Sequence, residues 1–316
     1  MNKSLFLIAA TVLTIAMAGQ ARSQSASGVE DLSKPAGQEP PMMGIHWARG
    51  FNPLYLARKA GHPGSQGKSP DLLWHNGPIM PDAVTENIFW GTSWGRYTGD
   101  EITGLDLWYN GFDRSDYAKA SDEYTGTDGQ EVTPTTTHLG HLIGHLIDGS
   151  AASGGSHTSV ILAEVCKEIT APDASGNGYY AVYTDLPRGN SSYCAWHSFG
   201  TCGGVRVQFA FFWKLDGDPG CDPQSTVTTE SQGLAALANV SGHELSEART
   251  DPTSEGWYDT SGEENADKCE WTFGEPYVTF SNRTIWKIQG LWSNAAYNQG
   301  TGYPNSRSQD GCIEGP

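Results

Sequence analysis

An α/β fold, a mixed sheet with flanking helices, is what the 316 residues predict. Three observations carry this. Tyr179 to Thr184 and Val205 to Trp213 are dense in β-branched and aromatic residues, as strands are. Ser156 to Ile169 and Thr229 to Arg249 place apolar residues at helical spacing behind Ser or Thr caps. Strand-like and helix-like runs interleave, which favours a sheet with helices packed on it.

From the N-terminus, residues 1–18 have the parts of a secretory signal peptide. Met1-Asn2-Lys3 is basic, Ser4 to Met17 is mostly apolar, and Ala16-Met17-Ala18 offers a small-x-small cleavage pattern. The apolar run is too short to span a bilayer stably, and no other segment approaches that length. The mature chain is therefore expected outside the cell, extracellular or periplasmic, with no transmembrane anchor. Residues 19–71 read as a flexible leader. Ser, Gly, Pro and charges recur there without apolar period, as in Gly61-His62-Pro63-Gly64, apart from a clip around Trp47 and Phe51. A single domain is expected over 72–316, loop-rich from about residue 252.

Within it, Ala83 to Trp94 is a strand, and Asp100 to Tyr109 a helix with acids at its start. A second helical piece runs through Tyr117 to Tyr124. Thr135 to Ile147 reads as extended because of its Thr run and two glycines. The Ser156 helix, the two strong strands and the Thr229 helix follow. The last of these stops at Thr250-Asp251-Pro252, and an irregular tail holds one strand near Val278-Thr279-Phe280.

The charge limits the partners. Nineteen Lys and Arg face 36 Asp and Glu, a net −17, with no cationic cluster to hold a phosphate backbone, so nucleic acid is excluded. Six cysteines in an exported chain predict three disulfides. Cys194 and Cys202 are spaced for a local loop, and Cys312 is placed to pin the tail to Cys269. No CxxC pair supports a zinc finger.

Ser241 to Asp251 is the most informative stretch. His243 and Glu247, four apart on a helix, share a face, with Glu244 one position round. This is the zincin H-E-x-x-H geometry with Glu in place of the second His. Imidazole and carboxylate both ligate zinc, and a nearby carboxylate is needed to take a proton from water. Glu244 is the candidate general base, and His243 and Glu247 are candidate ligands. Asp251 at the helix end, or Asp267 beside Cys269, is the third. Calcium is the competing ion: Asp259-Thr260-Ser261-Gly262-Glu263-Glu264 alternates oxygen donors about a glycine, without EF-hand spacing. His138, His141 and His145, in a short His-Leu-Gly-His-Leu-Ile-Gly-His repeat, raise a second metal site against the plainer reading of packed or solvated rings. No Gly-x-Ser-x-Gly elbow supports a serine hydrolase.

His75-Asn76-Gly77-Pro78, the strand Asn87-Ile88-Phe89-Trp90-Gly91, and Tyr193-Cys194-Ala195-Trp196 resemble the EXORDIUM-like, phosphate-induced protein family. The run Ser241 to Cys269 is similar to bacterial members of that group. The resemblance spans roughly residues 72 to 312 and implies an extracellular protein, without implying an activity. Two functions follow as expectations. One is a secreted zinc-dependent peptidase-like hydrolase acting on a protein or peptide substrate. The other is a non-catalytic, cell-wall-associated protein with a structural zinc or calcium. Its tail rings Trp271, Trp286, Trp292, Tyr297 and Tyr303 would then line a groove for a cell-wall polymer, or else simply pack beneath loops.

Overall fold

The computed structural model describes residues 39–59, 70–226 and 228–316; the expected signal peptide and most of the expected leader lie outside them. These residues fall within one compact unit. In chain order the elements are β1 (Met43–Trp47), α1 (Pro53–Lys59), β2 (Leu73–Trp74), β3 (Ala83–Trp90), α2 (Glu101–Phe112), α3 (Asp116–Lys119), β4 (Thr136–His138), α4 (Leu139–Ile143), β5 (Leu146–Asp148), α5 (Thr158–Glu168), β6 (Gly178–Pro187), β7 (Tyr193–Cys202), β8 (Val205–Lys214), α6 (Gln232–Thr250) and β9 (Trp257–Tyr258), followed by short strand pairs and one short helix.

Seven strands make one mixed sheet in the order β1-β7-β8-β6-β3-β4, with β5 also on β3. The β8-β6-β3 centre is parallel, and β7 and β1 are antiparallel additions at one side. The parallel strands are buried on both faces, so they read as continuous apolar runs instead of alternating ones. Alternation sorts those residues into two cores. Phe89, Ala181, Tyr183, Ala210 and Phe212 face α2 and α6; Ile88, Val182, Phe209 and Phe211 face α5.

Helix α6 is buried from Gly233 to Thr250, between the sheet and the tail. Its N-cap Ser231 accepts a hydrogen bond from the Leu234 N–H at 3.2 Å. Such a helix carries no solvated face, so each charged side chain on it needs a partner inside the protein.

Several expectations change. The leader is not unstructured throughout: Met43–Trp47 forms β1, antiparallel to β7. Five residues beside a proline pair are too few to show a period, and β7 supplies the order. Strand β7 itself is an addition, since its small and polar residues hide the alternation. The Thr135 to Ile147 run is two short strands around α4, which ends where Gly144 turns to φ +101°. The disulfides are Cys166–Cys202, Cys194–Cys221 and Cys269–Cys312. The tail closure holds, but Cys194 and Cys202 do not pair. They lie near opposite ends of one extended strand, where eight steps of about 3.3 Å keep them far apart. Among the tail rings, Trp286 and Trp292 are buried and Trp271, Tyr297 and Tyr303 partly so; they pack beneath loops. No helix of the described residues is long and apolar enough to cross a membrane.

Candidate metal centre

The inner half of α6 presents His243, Glu244 and Glu247, all fully buried, and one ligand atom of each lies within 4.8 Å of the others. Period two on β7 puts His197 on the same face as Ala195, the α6 face, which brings it over Glu247. The loop after β9 adds Glu264, and the 3-10 turn Asp267–Cys269 adds Asp267.

His197, Glu247 and Glu264 form one close group of donors and His243, Glu244 and Glu247 another, and Glu247 belongs to both. His243 Nε2 lies 3.1 Å from Glu247 Oε2 and 3.6 Å from Asp267 Oδ1. His197 Nε2 lies 3.8 Å from Glu247 Oε2 and 3.4 Å from Glu264 Oε2. Donors around a tetrahedral zinc with bonds of about 2.0–2.1 Å sit about 3.3 Å apart. His197 Nε2, His243 Nε2, Glu247 Oε2 and Glu264 Oε2 are buried without a hydrogen-bond partner, and so are both oxygens of Glu244. Buried polar atoms are rarely left so, and here they cluster.

Burial sets the protonation. It drives both imidazoles down to about 3, His197 further through the charge of His243. Both rings are thus neutral, the form that ligates. Burial raises Glu244, Glu247, Glu264 and Asp267 well above the usual carboxylate range, and repulsion from Glu247 and Asp267 adds to the rise at Glu244. A divalent cation would reverse these shifts.

Other groups hold the candidate ligands in place. Glu247 Oε1 accepts the Asp267 N–H at 2.8 Å, which leaves Oε2 to the centre. Gln289 Nε2 donates to the Ala266 carbonyl at 2.9 Å and stands 3.1 Å from His243 Nδ1, while its Oε1 faces His46 Nε2 at 3.1 Å. With an amide N–H on Nδ1, the ring proton of His243 sits on Nε2. Ligation through Nε2 moves that proton to Nδ1 and requires the Gln289 amide to turn. Gly44, at φ +46° in β1, passes so close that a Cβ there would overlap Glu247 Oε2 and His197 Nε2. Only glycine lets β1 lie over the ligands.

A cleft of about 420 Å³ reaches the centre from outside. Its walls include Met42, Gly44 and Trp47 of the N-terminal segment, and Asp251, Glu264 and Asp267. Glu264 and Asp267 therefore belong to both cleft and centre.

The expected residues separate into groups. His243, Glu244, Glu247 and Asp267 come together. Asp251 lines the cleft, but its Oδ1 accepts the N–H groups of Glu255 and Gly256 at 2.9 and 2.7 Å, closing the turn after α6. In the loop expected for calcium, Asp259 pairs with Lys268 at 3.0 Å and with Ser261, and Glu263 pairs with Arg307, while Glu264 lies against His197. The buried Arg249 contacts the Ala118 and Thr133 carbonyls and leaves Glu244 alone. Sequence reasoning missed His197, Glu264 as a ligand, His46 and Gln289. For His197 the only signal was its place two residues after Ala195 in a short aromatic run.

The chain matches no protein-family model, no curated protein and no solved structure.

Proposed function

We propose that this protein is an exported zinc-dependent hydrolase of peptide bonds, with His197, His243 and Glu247 holding the ion. The three disulfides suit an oxidising compartment. Glu264 and Asp267 meet the substrate side, where the cleft opens. A bound zinc would supply Lewis acidity and a water of lowered pKa. Glu244 takes the proton from the attacking water and returns it to the leaving amine.

The observation that carries this reading is Glu244 itself. The other donors suffice for a structural zinc. A further buried carboxylate without a partner then costs stability and contributes nothing to the shell. Next to a reacting water it has work to do. The second reading, a structural zinc in a wall-associated EXORDIUM-like protein, is favoured by the number of protein donors, which could close the shell. Glu244→Gln separates the two. Zinc content should stay at the wild-type level while cleavage of a peptide library, read by mass spectrometry, falls about a hundred- to ten-thousand-fold. Wild-type protein that binds zinc but cleaves nothing supports the structural reading, and protein that binds no zinc ends both.

A further inference from the structure

The His-Leu-Gly-His repeat lies away from the α6 centre, at the opposite edge of the same sheet, where α2 covers it. There β3 has a divided neighbour. Its Ala83 to Thr85 pair with β4 and its Ile88 to Trp90 with β5, both parallel. Between the two, at Glu86 and Asn87, the neighbouring strand is interrupted by α4. His138 ends β4, His145 precedes β5, and Asp106 of α2 faces the gap.

Asp106 joins the two imidazoles. His138 Nε2 lies 3.1 Å from Asp106 Oδ1, and His145 Nδ1 lies 2.8 Å from Asp106 Oδ2. Thr85 Oγ1 holds His138 Nδ1 at 3.0 Å, so the ring is oriented from behind, as ligating imidazoles usually are. A Cβ at Gly140 would lie 2.9 Å from His138 Nε2, 3.1 Å from Asp106 Oδ1 and 3.3 Å from Glu86 Oε1. Three donor types thus face one space that a side chain at 140 would fill.

Asp106 alone could satisfy both imidazoles by hydrogen bonds. It cannot account for Glu86, which is 1 % exposed, lacks a hydrogen-bond partner on either oxygen and feels the charge of Asp106. Two carboxylates set together in a core repel unless a proton or a cation lies between them. Two imidazoles beside them select a transition ion over calcium or magnesium. We infer that Glu86, Asp106, His138 and His145 form a second site for a divalent transition metal ion of the zinc class, independent of the α6 centre. His145 is 35 % exposed at its side chain and gives the ion a way in.

The test is zinc stoichiometry. The mature chain is stripped with chelator, re-equilibrated with zinc, and measured by elemental mass spectrometry. Wild type should hold about two ions per chain, and Glu86→Gln and His145→Ala about one each. His243→Ala should also hold about one, and the Glu86→Gln/His243→Ala pair none, because the sites are separate. His145→Ala removes a partly exposed ring and leaves no buried hole, so it answers even where Glu86→Gln does not fold. Unchanged zinc content in His145→Ala overturns the inference, as does a wild-type content of about one that disappears with His243→Ala alone. Unchanged content in His243→Ala, with loss in His145→Ala, would remove the α6 centre and keep this one.

Discussion

Two acidic regions lie side by side behind α6, and they resolve their charge in different ways. In the loop from Asp259 to Glu263, each acid has its own cation: Lys268 for Asp259 and Arg307 for Glu263. In the centre made by Glu244, Glu247, Glu264 and Asp267, no lysine or arginine among the described residues pairs with any of them. The imidazoles that lie against these acids, His197 and His243, are both neutral. What differs is the missing countercharge, and that points to an ion from outside.

The broadest way to break this comparison is to take the ion away. At a hundredfold excess of zinc over its dissociation constant, binding adds about 3 kcal/mol of stability, so chelator should lower the melting temperature by several degrees. The pH dependence should change sign as well. Without metal, acids whose folded pKa is raised bind more protons folded than unfolded. Their stability is full below the unfolded carboxylate value of about 4 and declines as pH rises towards the raised values. With metal, binding must displace those protons, so the zinc increment grows over the same range. Melting curves at stepped pH, with and without chelator, should diverge upwards. Parallel curves would mean that no ion occupies the centre.

A narrower cut compares neighbours in sequence. Glu263→Gln and Glu264→Gln alter adjacent residues of like chemistry, one in each region. Glu264→Gln should weaken zinc about ten- to a hundredfold in a competition titration, as loss of a carboxylate at the shell does. Glu263→Gln should leave zinc affinity within about twofold and lose only its pairing with Arg307. Equal effects would erase the distinction between the regions.

The same contrast explains what the sequence disclosed. The helix pair His243 and Glu247 was legible because four residues make one turn, a local rule that needs no tertiary knowledge. The strong strands were legible for the same reason. His197 and Glu264 were not, because they come 46 residues before and 21 residues after His243 and meet it only through sheet order and a loop. β1 was unreadable because five residues gain their order from pairing with β7. Asp251 was misread because its spacing suits ligation, whereas the chain turns there and uses the carboxylate to close the turn. The acidic loop looked like a calcium site because its cations, Lys268 and Arg307, are supplied from five and more residues away.

The finest distinction concerns Gln289, which is positioned for the metal-free tautomer of His243. Its amide gives a hydrogen to Ala266 O and faces His243 Nδ1. A ring bound through Nε2 carries its proton on Nδ1 and asks for an acceptor there. Gln289→Glu provides one without adding volume, and builds the carboxylate–histidine–metal arrangement. It also deprives Ala266 O of its donor and adds an acid to the cluster, so the net gain in zinc affinity should be modest, about tenfold or less. Without metal the same substitution should lower the melting temperature, because one more buried acid lacks a cation. The two effects have opposite sign only if the cluster holds a positive ion. Were it held together by protons alone, as buried acids can be, Gln289→Glu would destabilise the protein whether or not zinc is present, and competition titration would show no tightening.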